Sequence, residues 1–500
     1  MFLKNAVFKL SSYIIITAIT IISVPIIIDG IGLEAFGFIG VTNSIIAYVG
    51  IVTVSFTSCL SRNIIFSLKN SEGSKASLEL NSSLIGIMAI SLLLVPIVII
   101  ISNDLLKWMD IPEEIFNSAV LLFQVTIISF TINSLSGVFG SCFIIKNRLD
   151  LQSISDFINK FSLNSIAILL ILYYEPSLNS YTSAIIISSL LFFVFNFISF
   201  SKLIPGLKVN VRHFSLTTIS NNMSTSIWLI INQIGALLYS HTGLIIINKF
   251  IGTKEAGIYS IILIISNQIR GLGYLMTSLF QPKLMNIIAS NDNEKSNQYL
   301  LLSILSINIF VSIISGTYIG GAEWVINNWL NKIDTRVVEL SIVSSVYLPF
   351  TISMSPCWTY LMSHLNVKRA GIVTLIFGII NVTISVLLVL YTSLEMYSVI
   401  LSSMFLLVIQ NIVIIPMMLR KYNVKIFDIY KILFTGAILL LYVILVTRLV
   451  FSYIDPRSLI MLLASLCNSF LIVILSLYLM ISLKTREINI IPILKRKVSN

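Results

Sequence analysis

Charged residues are scarce in this 500-residue sequence: Asp, Glu, Lys and Arg together make up only 11% of it. Hydrophobic residues make up 57%, and the mean hydropathy is +0.98. A typical soluble domain carries about 25% charged residues, because its surface has to be hydrated. The composition therefore excludes a soluble protein and predicts an all-α, polytopic membrane protein.

Cysteine, histidine and catalytic motifs are also rare. The chain has four cysteines and three histidines, and no metal-ligand spacing links Cys59, Cys142, Cys357 and Cys467. Neither a glycine-rich phosphate loop nor a nucleophile elbow occurs. The longest predicted outer loop runs only from 322 to 336, which leaves no room for a catalytic domain. We therefore expect no metal, no cofactor and no enzymatic activity.

Long apolar runs fill most of the chain. Because about 20 apolar residues cross the hydrocarbon core, each run predicts one transmembrane helix. Fourteen runs qualify: residues 10–28, 36–58, 82–102, 117–144, 155–174, 181–203, 222–250, 256–282, 299–321, 337–364, 370–391, 394–417, 431–452 and 458–483. The first follows Lys4 and Lys9 and lacks a small-residue cleavage site, which predicts an uncleaved helix rather than a signal peptide.

Basic residues outnumber acidic ones, 32 to 21, and they are distributed unevenly. With the N-terminus inside and the loops alternating, 23 Lys and Arg fall on the cytoplasmic side and 7 outside, while Lys160 and Arg270 fall within spans. This distribution follows the positive-inside rule, so the basic excess needs no nucleic-acid partner. We expect both termini to be cytoplasmic, with a basic tail at 484–500 beside the membrane lipids.

The two halves of the chain resemble each other. Aligning Gly32 with Gly252 places PIIIDGIGLEAFG against LIIINKFIGTKEAG, and Gly37 then falls on Gly257. Six spans per half give both halves the same orientation, which is typical of a parallel repeat with a substrate site between two lobes. A chance similarity between two helical hairpins is the alternative. The predicted domains are an N-lobe at 1–205, a C-lobe at 222–420, a peripheral helix pair at 431–483 and the tail.

Three segments carry a resemblance to a known family. They read PIIIDGIGLEAFGFIGVTNSIIAYVGIVTVSFTSCLSRNI, INKFIGTKEAGIYSIILIISNQIRGLGYLMTSLFQPKL and MSHLNVKRAGIVTLIFGIINVTISVLL. They resemble the multidrug/oligosaccharidyl-lipid/polysaccharide exporter superfamily, and within it the O-antigen and exopolysaccharide flippases. The resemblance covers most of spans one to twelve, as a pattern rather than a fixed motif.

This resemblance implies a V-shaped transporter of two pseudo-symmetric lobes in a bacterial inner membrane. Its substrate would be a lipid-linked oligosaccharide for O-antigen (lipopolysaccharide), capsule or exopolysaccharide assembly, and its partners a polysaccharide polymerase and chain-length proteins. Peptidoglycan-precursor flippases of the superfamily carry arginines within their first two helices. The first two spans here contain none, and Arg62 lies past the second, which weighs against a peptidoglycan precursor.

Arg270 is the deepest charge, near the middle of the eighth span. A charged residue at that depth costs about 2.5–3.5 kcal/mol on insertion scales, so it should face a partner or a wet cavity. Polar residues at helical spacing predict one polar face with it: Ser266, Asn267, Tyr274, Thr277 and Gln281. We interpret Arg270, Asn267, Tyr274 and Thr277 as substrate-binding residues. Interhelical hydrogen bonding is the alternative, and it is favoured for Ser266 or Thr277 taken alone.

Lys160, in the fifth span, is the second basic residue at depth, with Asp156 one turn before it. It is a second substrate-binding candidate, and a snorkelling lysine neutralised by Asp156 is an equal alternative. His241 in the seventh span is a candidate for ion coupling, because histidine titrates near neutral pH. Asp156 is a second candidate for this role. A hydrogen-bonded packing histidine is favoured. Gln233, on a neighbouring face of the seventh span, completes the substrate-binding set.

Pro349 and Pro356 lie seven residues apart in the tenth span. Each removes a helical hydrogen bond, which a membrane bundle can tolerate. The pair predicts a bend, either a gate or a static kink.

The sign of the charge within the spans distinguishes between a transporter of anions and a transporter of cations. A lipid-linked diphosphate is an anion, and Arg binds such anions through paired donors, which favours a flippase that works by alternating access. A cation-coupled multidrug exporter of the same superfamily would bury acidic residues, and no Asp or Glu lies deep in any span. A third alternative is a non-transporting membrane scaffold of a glycan-assembly complex, and only the polar residues within the spans argue against it. The lack of a catalytic loop argues against an enzyme.

Overall fold

The computed structural model describes residues 2–57, 60–69, 73–207, 209–210, 214–290, 292–330, 334–363 and 367–453. Within these ranges the secondary structure is helical, with no strand, which confirms the all-α class. The α-helices are α1 (Phe2–Ile31), α2 (Leu33–Thr57), α3 (Leu60–Lys69), α4 (Gly73–Lys107), α5 (Glu113–Ile145), α6 (Leu149–Tyr173), α7 (Leu178–Leu203), α8 (Leu216–Ser240), α9 (Thr242–Phe250), α10 (Thr253–Ala289), α11 (Asn293–Trp329), α12 (Arg336–Val346), α13 (Leu348–Ile352), α14 (Ser355–Ser363), α15 (Val367–Tyr391), α16 (Met396–Ile409), α17 (Ile415–Leu419) and α18 (Ile426–Tyr453).

In the described residues, twelve helical segments are long and apolar enough to cross a membrane. A bent pair, Ile227–Ser240 with Thr242–Phe250, makes a thirteenth when it is counted as one span. Each of the first thirteen predicted spans overlaps one of these segments. The fourteenth, 458–483, and the tail, 484–500, lie outside the described residues, so the count of fourteen stays a prediction.

The chain divides into two compact units. The first comprises residues 1–268, 329–340 and 360–410. The second comprises residues 269–328, 341–359 and the described residues from Asn411 onward. The lobes at 1–205 and 222–420 and the peripheral pair at 431–483 stay predictions.

In the first unit, α2 and α10 cross at a pair of glycines. A Cβ on Gly37 would lie 2.5 Å from the backbone nitrogen of Gly257 and 2.7 Å from the carbonyl oxygen of Thr253. A Cβ on Gly257 would collide in turn with the carbonyl oxygen of Leu33. Because Leu33 aligns with Thr253 in the same register that pairs Gly37 with Gly257, each half of the contact mirrors the other. Such reciprocal contacts arise on a twofold axis.

Neighbouring positions follow the same internal symmetry. Gly40 faces Ser260, its counterpart in the same alignment of the two halves. Gly32 and Gly252, just before the two helices, have positive φ angles of 85° and 147°. Glycine adopts such angles without the steric penalty of a Cβ. The predicted correspondence of these glycines therefore has a geometric counterpart.

Buried amides join the helices of the first unit. Asn196 on α7 accepts a hydrogen bond from Ser155 of α6 at 2.6 Å and donates one to Ser136 of α5 at 2.7 Å. Asn381 on α15 accepts a bond from Ser402 of α16 at 2.8 Å. In hydrocarbon such side chains need partners within the bundle, so these bonds fix how the helices pack.

In the second unit, α18 packs along α11 through small residues. The side chain of Val443 lies 2.9 Å from the Cβ position of Gly316, and Thr447 occupies the equivalent place beside Gly320. Since these contacts rise together along both helices, α11 and α18 run parallel. A Cβ on Gly436 would collide with the side-chain amide of Asn308. Residues 431–453 of the predicted peripheral pair are thus held by a seam that requires glycine.

Candidate functional site

Arg270 lies on α10, and its Nη2 donates a hydrogen bond to the phenol oxygen of Tyr347 at 2.8 Å. Arg270 is half-buried and Tyr347 is 5% exposed. The sequence predicts that this guanidinium faces a partner or a wet cavity, and Tyr347 is such a partner. Sequence reasoning missed Tyr347, because a tyrosine 77 residues away carries no periodic signal that points to Arg270.

The predicted polar face of α10 is divided in the structure. Ser266 and Thr277 are buried, and the Thr277 hydroxyl lies 2.6 Å from that of Ser355 on α14. Asn267 and Tyr274 are exposed, Tyr274 to 55%. Because successive residues are rotated by about 100°, Arg270 lies between the buried and the exposed set around the helix axis. Thr277 therefore fits interhelical hydrogen bonding, whereas Asn267 and Tyr274 remain accessible to a ligand.

Gln268, in the first unit, joins α10 to α1. Its side-chain oxygen accepts hydrogen bonds from Tyr13 at 3.1 Å and Thr17 at 2.9 Å. Sequence reasoning missed these three residues. The spacing of Tyr13 and Thr17, one turn apart in an apolar span, is a signal that could have found them.

Lys160 and Asp156 are both exposed on α6, and the Asp156 carboxylate is near enough to act electrostatically on the ammonium. The Lys160 carbonyl accepts a hydrogen bond from Asn164 at 2.8 Å. Asn164 in turn accepts one from Ser23 of α1 at 2.8 Å. These bonds fix the backbone of α6 one turn past Lys160. Both interpretations of Lys160, substrate binding and a neutralised snorkelling lysine, fit this arrangement.

His241 marks the break between α8 and α9, whose axes differ by 40°. Its Nδ1 lies 3.4 Å from the hydroxyl of Ser44 on α2, and the adjacent Thr242 hydrogen-bonds to Tyr48 of the same helix. This setting matches the favoured packing histidine. Gln233 is exposed about two turns earlier on α8.

The structure therefore places the predicted residues on three separate stretches. Lys160 and Asp156 share one turn of α6, Gln233 and His241 lie on the α8–α9 pair, and the rest lie on α10. Arg270 belongs to the second unit and the α6 and α8–α9 residues to the first. Of the ionisable residues in this set, Arg270 is the one whose side chain cannot lose its charge in a protein.

Among the described residues, no group of three or more His, Cys, Asp or Glu side chains could hold a metal ion. Cys142 and Cys357 are buried free thiols, and Cys59 and Cys467 lie outside the described residues. The two described cysteines therefore fit the predicted role as small packing residues.

Outside the membrane spans, an ion-pair cluster in the first unit joins the chain before α12 to the start of α16. Asp334 accepts hydrogen bonds from Nε of Arg336 at 2.7 Å and from its backbone nitrogen at 2.9 Å. Arg336 also donates to Glu395 at 3.1 Å. The bonds from Arg336 lower the pKa of Asp334.

Comparison with known sequences gives two matches. A family model described as polysaccharide biosynthesis protein matches residues 2–280. A protein of Bacillus subtilis (strain 168), the uncharacterized membrane protein EpsK, is 23% identical over 413 residues, which are 83% of this chain and 82% of that protein.

Solved transporter structures share the fold. An inward-facing multidrug resistance MATE family transporter of the MOP superfamily superposes with a TM-score of 0.67 at 13% identity, over 85% of this chain and 99% of that one. The lipid II flippase MurJ, in an inward closed conformation, gives 0.62 at 17% identity, over 93% and 99%. A MOP superfamily transporter from Pyrococcus furiosus gives 0.55 at 13% identity, over 88% and 94%.

Proposed function

Because the chain belongs to the polysaccharide biosynthesis protein family, we propose that it is a flippase for an isoprenoid-diphosphate-linked oligosaccharide. The resemblance to the MOP superfamily is confirmed, and the chain is a multi-pass membrane protein of that fold. The proposal adds the substrate class, the bacterial cytoplasmic membrane and the cytoplasmic placement of both termini. Transport would proceed by alternating access, with a glycan polymerase and chain-length proteins as partners.

The observation that carries the proposal is the guanidinium of Arg270 within a transmembrane span, beside Tyr347. A phenol oxygen is a neutral acceptor, so this hydrogen bond stabilises the guanidinium without cancelling its positive charge. Desolvated positive charge is costly unless an anion or another polar group stabilises it. A lipid diphosphate supplies two phosphates whose oxygens match the donor fork of arginine.

Exposed polar side chains also occur elsewhere in the spans. Asn267 and Tyr274 on α10, Gln233 on α8 and Lys160 on α6 are exposed although they lie within spans. Polar side chains at such positions face a cavity or another helix rather than lipid. We propose that these four contact the sugar or the phosphates of the substrate.

A multidrug exporter is the second candidate, because a multidrug transporter shares the fold with a TM-score of 0.67. At 13% identity this likeness concerns the fold and leaves the substrate open. An organic cation needs a carboxylate at depth, and the deepest charge of this chain is an arginine. A scaffold without transport activity is separated from both candidates only by an export assay.

The test measures glycan export per unit of folded protein in cells that depend on this chain, with Arg270 replaced by Lys, Ala or Glu. Arg270→Lys keeps the charge and loses the bidentate fork, so we expect about a tenth to a half of wild-type export. Arg270→Ala should lose about 90% or more at normal protein abundance, and Arg270→Glu should lose the most, because it repels the diphosphate.

A control variant and the measured protein abundance separate substrate binding from folding. Arg148→Ala removes an arginine that is paired with Asp150 at 2.9 Å outside the core of a span, and it should export normally. Wild-type export by Arg270→Ala would rule out a substrate role for Arg270. A loss of export that matches a loss of protein would make Arg270 a structural residue.

A further inference from the structure

The tenth span, Arg336–Ser363, is broken twice in the second unit. The helix α12 ends at Val346, α13 covers only Leu348–Ile352, and α14 begins at Ser355. Pro349 and Pro356 are the second residues of α13 and α14, so each proline directly follows one interruption, and the bend that they predict stays a prediction.

The backbone hydrogen bonds at these interruptions are long. The Phe350 nitrogen lies 3.2 Å from the Tyr347 oxygen, and the Met354 nitrogen lies 3.3 Å from the Thr351 oxygen. Both bonds join residues three positions apart, which is the 3-10 pattern. Two further bonds, from the Thr351 nitrogen to the Tyr347 oxygen at 3.2 Å and from the Ser353 nitrogen to the Pro349 oxygen at 3.3 Å, keep the α-helical pattern. Residues 347–354 therefore mix 3-10 and α-helical turns, and contacts with a neighbouring helix add to the backbone bonds that hold their shape.

Helix α10 contacts this stretch from its beginning to its end. Arg270 bonds to Tyr347, and Thr277 lies 2.6 Å from Ser355. Between them, Ile352 fills the space that a side chain on Gly273 would need. Since residues 270, 273 and 277 share one face of α10, a single helix face holds both interruptions.

Tyr347 is the residue of the broken span that bonds to the charged side chain of Arg270. It stands between the last residue of α12 and the first residue of α13. The phenol is 5% exposed, so its ring is fixed by packing and its oxygen is a rigid acceptor. A rigid acceptor holds one amino group of the guanidinium in place and thereby restricts the orientations of its plane.

We propose that Tyr347 is the positioning residue of Arg270: it orients the guanidinium for bidentate binding of a diphosphate and ties it to the broken span. This inference rests on the proposed function, because the ligand is the diphosphate of that proposal. Bidentate recognition depends on the direction of the fork, whereas attraction by charge alone does not. Loss of the phenol hydroxyl should therefore reduce the preference for a diphosphate while hydrophobic contacts to the lipid chain persist.

The chain offers a matched control on the same span. The phenol of Tyr318, on α11, donates a hydrogen bond to the hydroxyl of Ser341 on α12 at 2.7 Å. Tyr318→Phe therefore removes a phenol hydrogen bond that also involves this span, without touching Arg270. Tyr347→Phe and Tyr318→Phe should cost similar stability, so only an effect on the ligand distinguishes them.

The experiment titrates the full-length purified chain with farnesyl diphosphate and with farnesol. Wild type should bind the diphosphate more tightly than the alcohol, and Arg270→Ala should lose that preference. Tyr347→Phe should weaken diphosphate binding about fivefold to tenfold and leave farnesol binding unchanged. Tyr318→Phe should bind both probes as wild type does. Arg270→Lys combined with Tyr347→Phe should bind no more weakly than Arg270→Lys alone, because lysine has no fork to orient.

The outcomes separate this inference from the function on which it rests. Wild type without a preference for farnesyl diphosphate would contradict the proposed anion site itself. A wild-type preference that Arg270→Ala removes and Tyr347→Phe keeps would overturn only the role of Tyr347. Equal weakening by Tyr347→Phe and Tyr318→Phe would also overturn it, since the effect would then follow from span packing. If Tyr347→Phe does not fold, the double variant Arg270→Lys with Tyr347→His replaces it, because histidine keeps a ring acceptor. This double variant should bind farnesyl diphosphate as well as Arg270→Lys alone does. Weaker binding would overturn the positioning role of Tyr347.

Discussion

At the residue scale, Glu395 combines an unfavourable backbone conformation with an ion pair. It precedes α16 with φ at 46°, in the left-handed region that L-residues rarely occupy. Such a conformation costs on the order of 1–3 kcal/mol and persists only when its surroundings impose it. The Glu395 carboxylate accepts a hydrogen bond from Arg336, which also bonds to Asp334, so the strained residue belongs to the ion-pair cluster.

The same cluster predicts a pH dependence. The pKa of Asp334 is lowered in the folded chain, chiefly by its hydrogen bonds from Arg336, below the value of about 3.9 for an unfolded aspartate. Its stabilising effect is therefore complete above that value and is lost as the pH falls through the lowered pKa. Asp334→Asn should lower stability at pH 7 by at most about 1 kcal/mol, because the pair is partly exposed.

The measurement is thermal unfolding of the purified protein between pH 7 and pH 3. Wild type and Asp334→Asn should converge as the pH falls below about 4. Asp104→Asn is the control, since its pair with Lys107 at 3.3 Å is 84% exposed on the aspartate side. An Asp334→Asn variant that stays separated from wild type by the same amount at every pH would contradict the assignment.

At the element scale, the crossing of α2 and α10 depends on the absence of side chains. Backbone atoms of Gly257 and Thr253 occupy the space that a methyl group on Gly37 would need. Backbone cannot move aside as the end of a flexible side chain can, so the two helices would have to separate. Small residues at an interface allow membrane helices to approach closely, and the close approach adds van der Waals contacts.

Gly37→Ala should therefore destabilise the protein, although alanine favours a helix. Overpacking of this kind costs about 1–3 kcal/mol. Gly137→Ala on α5 is the matched control, because no atom lies within 4 Å of the added methyl, and it should be neutral or stabilising by up to about 1 kcal/mol. Thermal unfolding of the two purified variants gives the comparison. Equal stability of both would show that the crossing can relax at no cost.

At the scale of the whole molecule, the orientation of the chain follows from its charge distribution. The 23 to 7 division of Lys and Arg predicts that both termini are cytoplasmic. The structure narrows the positions at which this can be tested. Asn81, in a predicted cytoplasmic segment, is 1% exposed and accepts a hydrogen bond from the Asn210 backbone, so a cysteine there would not react from either side.

Single cysteines in a chain without its four natural ones test the orientation. Ser74→Cys, Lys208→Cys and Asn423→Cys should resist a membrane-impermeant maleimide in intact cells and react after lysis. Asn103→Cys and Lys254→Cys should react in intact cells. Ser74, Asn423, Asn103 and Lys254 are exposed, and Lys208 lies outside the described residues. Labelling of Lys208→Cys in intact cells would place the connector between the two halves outside the cell and contradict the predicted orientation.

The sequence by itself determined the membrane class and the number and position of the described spans. Each of these follows from local composition, because about twenty apolar residues are needed to cross the bilayer wherever they occur. The paired glycines Gly37 and Gly257 also showed in the sequence, because the predicted repeat aligns them. The buried charge at Arg270 was equally visible, because a charge in an apolar run needs no tertiary contact to be recognised.

Only the tertiary structure decided which groups that charge meets. Helical periodicity places Asn267, Arg270 and Thr277 on one polar stripe but cannot say which edge of the stripe a neighbouring helix covers. Thr277 is covered by Ser355, and Tyr347 reaches Arg270 from 77 residues away. Which turns of two distant helices lie side by side depends on packing along their whole length, and no local pattern in either helix encodes it.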